Sequence, residues 1–308
     1  MRPVKDFSID RKTSLNELFK QMKSSGGFSA KNLSISVEIL ERMIKDEKCL
    51  KFLSFPACII ATGTRGIIKD FVKRKWFDVV ITTCGTLDHD LARSYKDYYH
   101  GTFFVDDSEL HKKGIHRLGN VFVPKESYGM IIEEKMREFL KEIYSQKKEF
   151  STHELIWELG KRINNKNSIL FWAWKNKIPV IVPGITDGAV GYQLWQFWQD
   201  HKDFKINELF DEQLLSDIVW KAKKTGALVI GGGISKHHVI WWNQFKEGLD
   251  YAVYITTAVE WDGSLSGART REAISWGKIK ERAKHVTVEG DATVYLPLIY
   301  SALLERIK

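Results

Sequence analysis

A short apolar run, Ala227–Ile230, leads into three consecutive glycines, Gly231–Gly233, and then into Lys236, His237 and His238, where helical spacing begins. That order predicts strand, tight turn and helix, the unit from which parallel sheets are assembled. Glycine lets the backbone turn sharply and lets a ligand approach with no Cβ in the way. Free N–H groups at the helix start would then favour an anion such as a pyrophosphate. The pattern is GxG followed by a lysine, without a full GxGxxG and a downstream acid, so an ordinary βα turn also accounts for it.

The same alternation recurs along the chain. Phe52–Phe55, Asp78–Thr82, Pro179–Val182, Asp250–Thr256 and Val286–Val288 read as strands, and Gly114–Pro124 as an irregular segment with a short strand. Between them, helical spacing appears at Ile67, Ile68, Phe71 and Val72, over Met130–Tyr144, up to about Asp200, and from Asp291 onward. Ser14-Leu15-Asn16-Glu17 and Ser151-Thr152-His153-Glu154 have the form of capping boxes. The fold expected is α/β: a Rossmann-like, doubly wound, mostly parallel sheet in a single domain with an N-terminal helical extension. The extension covers residues 1–48 and packs on the main domain, residues 49–308. In such sheets ligands bind beyond the carboxyl ends of strands. Every suggestive motif falls in a loop after Phe55, Thr82, Val182, Ile230 or Thr256.

Bulk properties narrow the function classes. With 308 residues, 44% of them hydrophobic, the chain can bury a sizeable core. No run of eighteen apolar residues occurs and Met1–Asp10 lacks an apolar signal core, so neither a membrane span nor a secretory signal is expected. Cys49, Cys58 and Cys84 are odd in number and widely spaced, which suits a reducing, cytoplasmic compartment and excludes a disulfide framework. A formal charge of +8 and eleven tryptophans raise nucleic acid as a partner. Lys and Arg nevertheless alternate with Asp and Glu, so these charges read as solvated faces and no nucleic-acid partner is expected. Nine histidines invite a metal reading, but His237 and His238 are adjacent and no HxxxH or HExxH occurs. No metal is expected.

After the strand Asp250–Thr256 comes a small polar loop, Trp261–Ala268, and then Glu272-Ala273-Ile274-Ser275-Trp276-Gly277-Lys278. A lysine two residues from a tryptophan and flanked by Gly277 and Ile279 would be desolvated, which disfavours the ammonium form and leaves an amine able to attack a carbonyl or imine. A surface lysine ending a helix fits the same residues, and chemistry alone favours that plainer reading.

Several motifs together decide otherwise. Lys236-His237-His238, the TTAxEWDGS loop from Thr256 to Ser264, Ser266–Arg269 (SGAR) and Ser275–Ile279 (SWGKI) stand in an order and spacing that resembles deoxyhypusine synthase. Gly119–Pro124 (GNVFVP), Leu159–Asn165 (LGKRINN), Ile178–Asp187 (IPVIVPGITD) and Asp291-Ala292 extend the resemblance from roughly Lys51 to the C-terminus. It implies an NAD-dependent transferase, cytoplasmic and homotetrameric. Such an enzyme moves the aminobutyl group of spermidine onto one lysine of the translation initiation factor 5A precursor. It further implies Lys278 as covalent carrier and His237 as a proton or hydrogen-bond acceptor in the amine site. Cofactor contacts are implied for Thr83, Cys84, Gly85, Asp187, Gly232, Thr257, Ala258, Asp291 and Ala292. For Asp187 the residues alone also allow a buried cap on the following helix. Substrate contacts are implied for Asp88, His89, His237, Gly263, Ser264, Glu272 and Trp276.

The chain departs from the family's eukaryotic pattern where the donor's terminal amine is anchored. Tyr192 and Leu265 stand in place of acids, and His89 in place of a glutamate. These departures open the identity of the amine donor. They also keep two alternatives in view: a homospermidine synthase-like transfer to a small diamine, and an NAD-binding module without catalysis.

Overall fold

The strand Lys224–Ile230 is buried along nearly its whole length and pairs in parallel on both sides, with Cys49–Ser54 and with Leu249–Thr256. A strand covered on both faces needs apolar residues at consecutive positions, which is why Ala227–Ile230 shows no alternation. Leu249–Thr256 pairs in turn, again in parallel, with Ile279–Glu289. A computed structural model describes residues 1–307, and by density of internal contacts it divides into two compact units. One comprises Met1–Phe55 and Leu215–Lys308, the other Pro56–Leu214. The α/β class with mostly parallel strands agrees with the sequence reading.

In the first unit the helix Phe28–Lys45 buries Leu33, Val37, Leu40 and Met43. It packs on the strands Leu249–Thr256 and Ile279–Glu289, and Asn32 Nδ2 donates to the Thr287 carbonyl at 3.2 Å. The helix Leu15–Ser24 begins with Ser14 accepting from the Glu17 N–H, and packs on Phe28–Lys45 and on the last helix, Ala292–Arg306. The helices Leu15–Ser24 and Phe28–Lys45 therefore share the apolar core of the unit that holds these strands. The strand Ile279–Glu289 has eleven residues, far more than the Val286–Val288 expected. Lys280, Glu281, Arg282 and Lys284 hide its alternation, and such charges on the last strand of a sheet discourage pairing with another chain.

In the second unit Val79–Ile81 pairs in parallel with Val180–Ile181. Gly114–Pro124, expected to hold one short strand, contributes two, Ile115–Leu118 and Val121–Pro124, and the latter pairs antiparallel with both the former and Tyr99–His100. The Ser151 capping box is complete on the helix Thr152–Ile163, which ends at Asn164 in the left-handed conformation. Among the described residues no helix is long and apolar enough to cross a membrane.

Asp90, fully buried, joins three parts of this unit. Its carboxylate accepts from Arg65 Nε at 2.7 Å, from Ser168 Oγ at 2.6 Å, and from the N–H groups of Ile169 and Leu170 at 3.1 and 3.0 Å. It thus closes the N-terminus of the helix Ile169–Asn176 while pairing a guanidinium that is itself buried. Removing one partner of a buried ion pair leaves an uncompensated charge, so Asp90→Ala should cost about 3–5 kcal/mol. The measurement is the urea midpoint at unchanged m-value, and a midpoint within error of the wild type refutes the assignment.

Candidate active site

Lys278 does not end a helix. The helix Thr270–Ser275 stops where Gly277 takes φ +66°, a conformation that favours glycine. The Lys278 N–H then donates to the Ala273 carbonyl at 2.9 Å, and its own carbonyl accepts from the Leu249 N–H at 3.1 Å. Lys278 is thereby tied in immediately before the strand Ile279–Glu289. The residue is 8% exposed, and its Nζ lies 5.1 Å from the Trp276 ring centroid and 6.0 Å from that of Trp241. It borders a cavity of about 360 Å³ shared with His237, Trp241, Leu265, Glu272 and Trp276.

His237 and Trp241 are four residues apart on the helix Gly233–Gln244, which places them on one face. Their rings stack at 5.6 Å with 23° between planes. Burial, and then the charge of Lys278, hold the His237 imidazole below its ordinary pKa. At neutral pH it is an uncharged ring with an accepting nitrogen.

Lys236 on the same helix is 1% exposed, and its Nζ donates to the carbonyls of Leu265 and Ala268, both at 2.7 Å. It also lies 4.4 Å from the centre of the Tyr254 ring. Burial lowers its pKa to about 8. Arg269 holds the other end of this loop, donating to the Ala258 carbonyl at 3.0 Å and pairing with Glu289 at 2.8 Å. A Cβ on Gly232 would lie 2.2 Å from Ser266 Oγ, so the loop packs directly on the glycine turn. Gly263 and Ser264 border the same cavity. Thr257 is exposed, and Asp291 caps the last helix by accepting from the Thr293 N–H at 2.8 Å, next to the buried Ala292.

The remaining expected residues lie in the second unit. Asp88 is 1% exposed, and its carboxylate accepts from the N–H groups of Ala189 and Val190 at 2.9 and 2.7 Å and from the Tyr128 hydroxyl at 2.8 Å. Burial raises its pKa and outweighs these hydrogen bonds. The helix Ala189–Asp200 is therefore capped by Asp88, and Asp187, for which a buried capping role was one reading, is exposed. Cys84 is buried, its thiol pushed up by desolvation and then by the Asp88 charge. Thr83 and Gly85 flank it, half-buried. His89 is buried with Nδ1 at 2.9 Å from the Tyr98 hydroxyl. Tyr192 is exposed against Trp195.

One cavity thus brings together Lys278, His237, Glu272, Trp276, Gly263 and Ser264, all anticipated from sequence. It adds Trp241 and Lys236, whose roles were not. Trp241 is legible only as the fourth residue after His237, and the Lys236 contacts depend on a loop nearly thirty residues downstream.

A protein-family model described as deoxyhypusine synthase matches residues 17–303. A protein from Picrophilus torridus named "Probable deoxyhypusine synthase" is 61% identical over 303 residues, covering 98% of this chain and 97% of its own length. One of the same name from Thermoplasma acidophilum is 58% identical with the same coverage. A crystal structure of an Entamoeba histolytica protein carrying this family name aligns with a TM-score of 0.66 at 20% identity, over 98% of this chain and 97% of that one. At that identity it supports the fold.

Burial of His89 generates a pH prediction. Desolvation, and then the Arg93 charge, lower its pKa to about 4, below the ordinary histidine value of 6.5. A group with a depressed folded pKa leaves the unfolded chain holding more protons between those values, so stability falls as pH drops from 6.5 toward 4. His89→Asn should lose less stability than the wild type between pH 7 and pH 5, measured by urea denaturation. Parallel losses in both proteins contradict the assignment.

Proposed function

Because this chain belongs to the deoxyhypusine synthase family, a family of transferases, we propose that it transfers the aminobutyl group of spermidine to one lysine of the translation initiation factor 5A precursor, with NAD as cofactor. The observation that carries this reading is Lys278. Its amine is buried beside two indoles, a neutral imidazole and one carboxylate, in a cavity large enough for a short alkyl-amine.

Fit to the cofactor is supported at the turn before the helix Gly233–Gln244. No side chain caps that helix, leaving first-turn N–H groups for an anion, and a Cβ on Gly233 would meet nothing within 4 Å. We assign cofactor contacts there to Gly232, Thr257, Ala258, Asp291 and Ala292, and in the second unit to Thr83, Cys84, Gly85 and Asp187. When bound, NAD supplies the acceptance of a hydride from the donor carbon and its later return to the product.

The chain's own residues do the rest. Lys278 Nζ, once it has given up its ammonium proton, adds to the carbon of the oxidised donor's imine. The bond from that carbon to the departing nitrogen breaks, and diaminopropane leaves with a proton. The aminobutyl unit stays on Lys278 as an imine. His237, uncharged, takes the proton that Lys278 sheds on attack. The acceptor lysine then repeats the exchange and frees Lys278. Trp276, with its ring centre 5.1 Å from Lys278 Nζ, shields one side of the imine from water, which would hydrolyse it. Glu272 holds a cationic nitrogen of the donor, with Gly263 and Ser264 along its path. Asp88 and His89 are assigned as further donor contacts by the family resemblance alone. The assembly is a cytoplasmic homotetramer.

Arginine is permanently charged and forms no imine, so Lys278→Arg should abolish transfer to protein while leaving NAD binding intact. Incubation with NAD and spermidine, borohydride reduction and mass spectrometry should find the aminobutyl group on Lys278. An adduct on Lys236 or Lys280, or full activity in the arginine variant, removes this function.

A further inference from the structure

The cavity beside Lys278 has an unusual charge balance for a site that takes a polycation. Of its lining side chains only Glu272 is acidic, while Lys236, Arg269 and Lys278 are basic. Two of those cations are answered within the fold, Lys236 by the carbonyls of Leu265 and Ala268, and Arg269 by the Ala258 carbonyl and Glu289. Glu272 is left to pair with one donor nitrogen. A second cationic nitrogen finds no second carboxylate here, and Leu265 offers it only an apolar side chain.

What remains is aromatic. An indole face attracts a cation within about 6 Å, most strongly where water is excluded. Trp276 lies nearer to Lys278, at 5.1 Å, and is 67% exposed at the cavity mouth. Trp241 is less exposed, at 42%, lies 6.0 Å from Lys278 Nζ, and is fixed in orientation by its stack on His237. Its face is the one that is both held in place and little engaged by the lysine.

We propose that Trp241 is a donor-selecting residue. Its indole face receives the second cationic nitrogen of a linear diamine-type donor whose first nitrogen pairs with Glu272. The substrate class is an alkyl chain with two separated cationic centres, read by one carboxylate and one π face. This rests on the proposed function for the identity of the reaction, while the binding step is testable without turnover.

The test is calorimetric titration of the full-length protein with a linear α,ω-diamine and with the monoamine of equal length. Trp241→Leu should weaken the diamine by roughly three- to thirty-fold and leave the monoamine unchanged. Trp241→Phe should keep most of the diamine affinity, and Glu272→Gln should weaken both ligands. In steady state the Trp241→Leu effect should fall on donor KM and not on kcat. Circular dichroism and thermal midpoints confirm that each variant is folded. Equal loss of diamine and monoamine in Trp241→Leu, no loss of either, or no diamine binding by the wild type overturns the proposal. A wild type that binds diamines through Trp241 but forms no Lys278 adduct overturns the reaction and leaves this assignment standing.

Discussion

The buried ammonium of Lys236 is the interaction on which the site's geometry depends. Taking a cation out of water costs several kcal/mol unless its protons are answered. Here two carbonyls at 2.7 Å and the Tyr254 face at 4.4 Å answer them. Both carbonyls belong to the loop after the strand Leu249–Thr256, and the lysine comes from the helix that also carries His237 and Trp241. One side chain therefore sets the register between the helix that supplies the imidazole and indole and the loop that supplies Gly263 and Ser264. The Gly232 turn adds a steric condition to this electrostatic one, because any side chain there would push Ser266 and the whole loop away.

The strand order was legible in the sequence because it rests on local patterns; the site was not, and came from the family resemblance. Consecutive apolar residues marked the buried strands, while Lys278 and His237, with forty residues between them, were paired only through the resemblance of SWGKI and KHH to a known family. Contacts made through space were not legible. Asp88 caps a helix that begins about a hundred residues later, at Ala189, and no pattern around Asp88 or Asp187 distinguishes which of them does so. The same limit hid the Asp90 junction. The long strand Ile279–Glu289 was missed for a different reason, since its charged residues face outward on the last strand of the first unit's sheet.

The carboxylates divide into two kinds, buried Asp88 and Asp90 on one side and exposed Glu272 on the other. Asp88 and Asp90 are spent on backbone N–H groups, and Asp90 also on a guanidinium, so both serve the fold. Glu272 lines the cavity and has no such commitment. A carboxylate with its acceptors free is one that can recognise a cation, and this separates substrate recognition from helix capping more sharply than residue type does.

The position of Lys278 follows from the same distinction between committed and free groups. Its backbone is fully engaged, with the N–H on Ala273 and the carbonyl on Leu249. A side chain extending from such a fixed backbone starts from the same place each time, which is what the proposed role of covalent carrier would require. A lysine at a fraying helix end, the plainer expectation from sequence, would lack that constraint. The left-handed Gly277 ends the helix one residue earlier and hands Lys278 to the strand. The glycine in SWGKI is thus a condition for the lysine's position, set by backbone geometry alone.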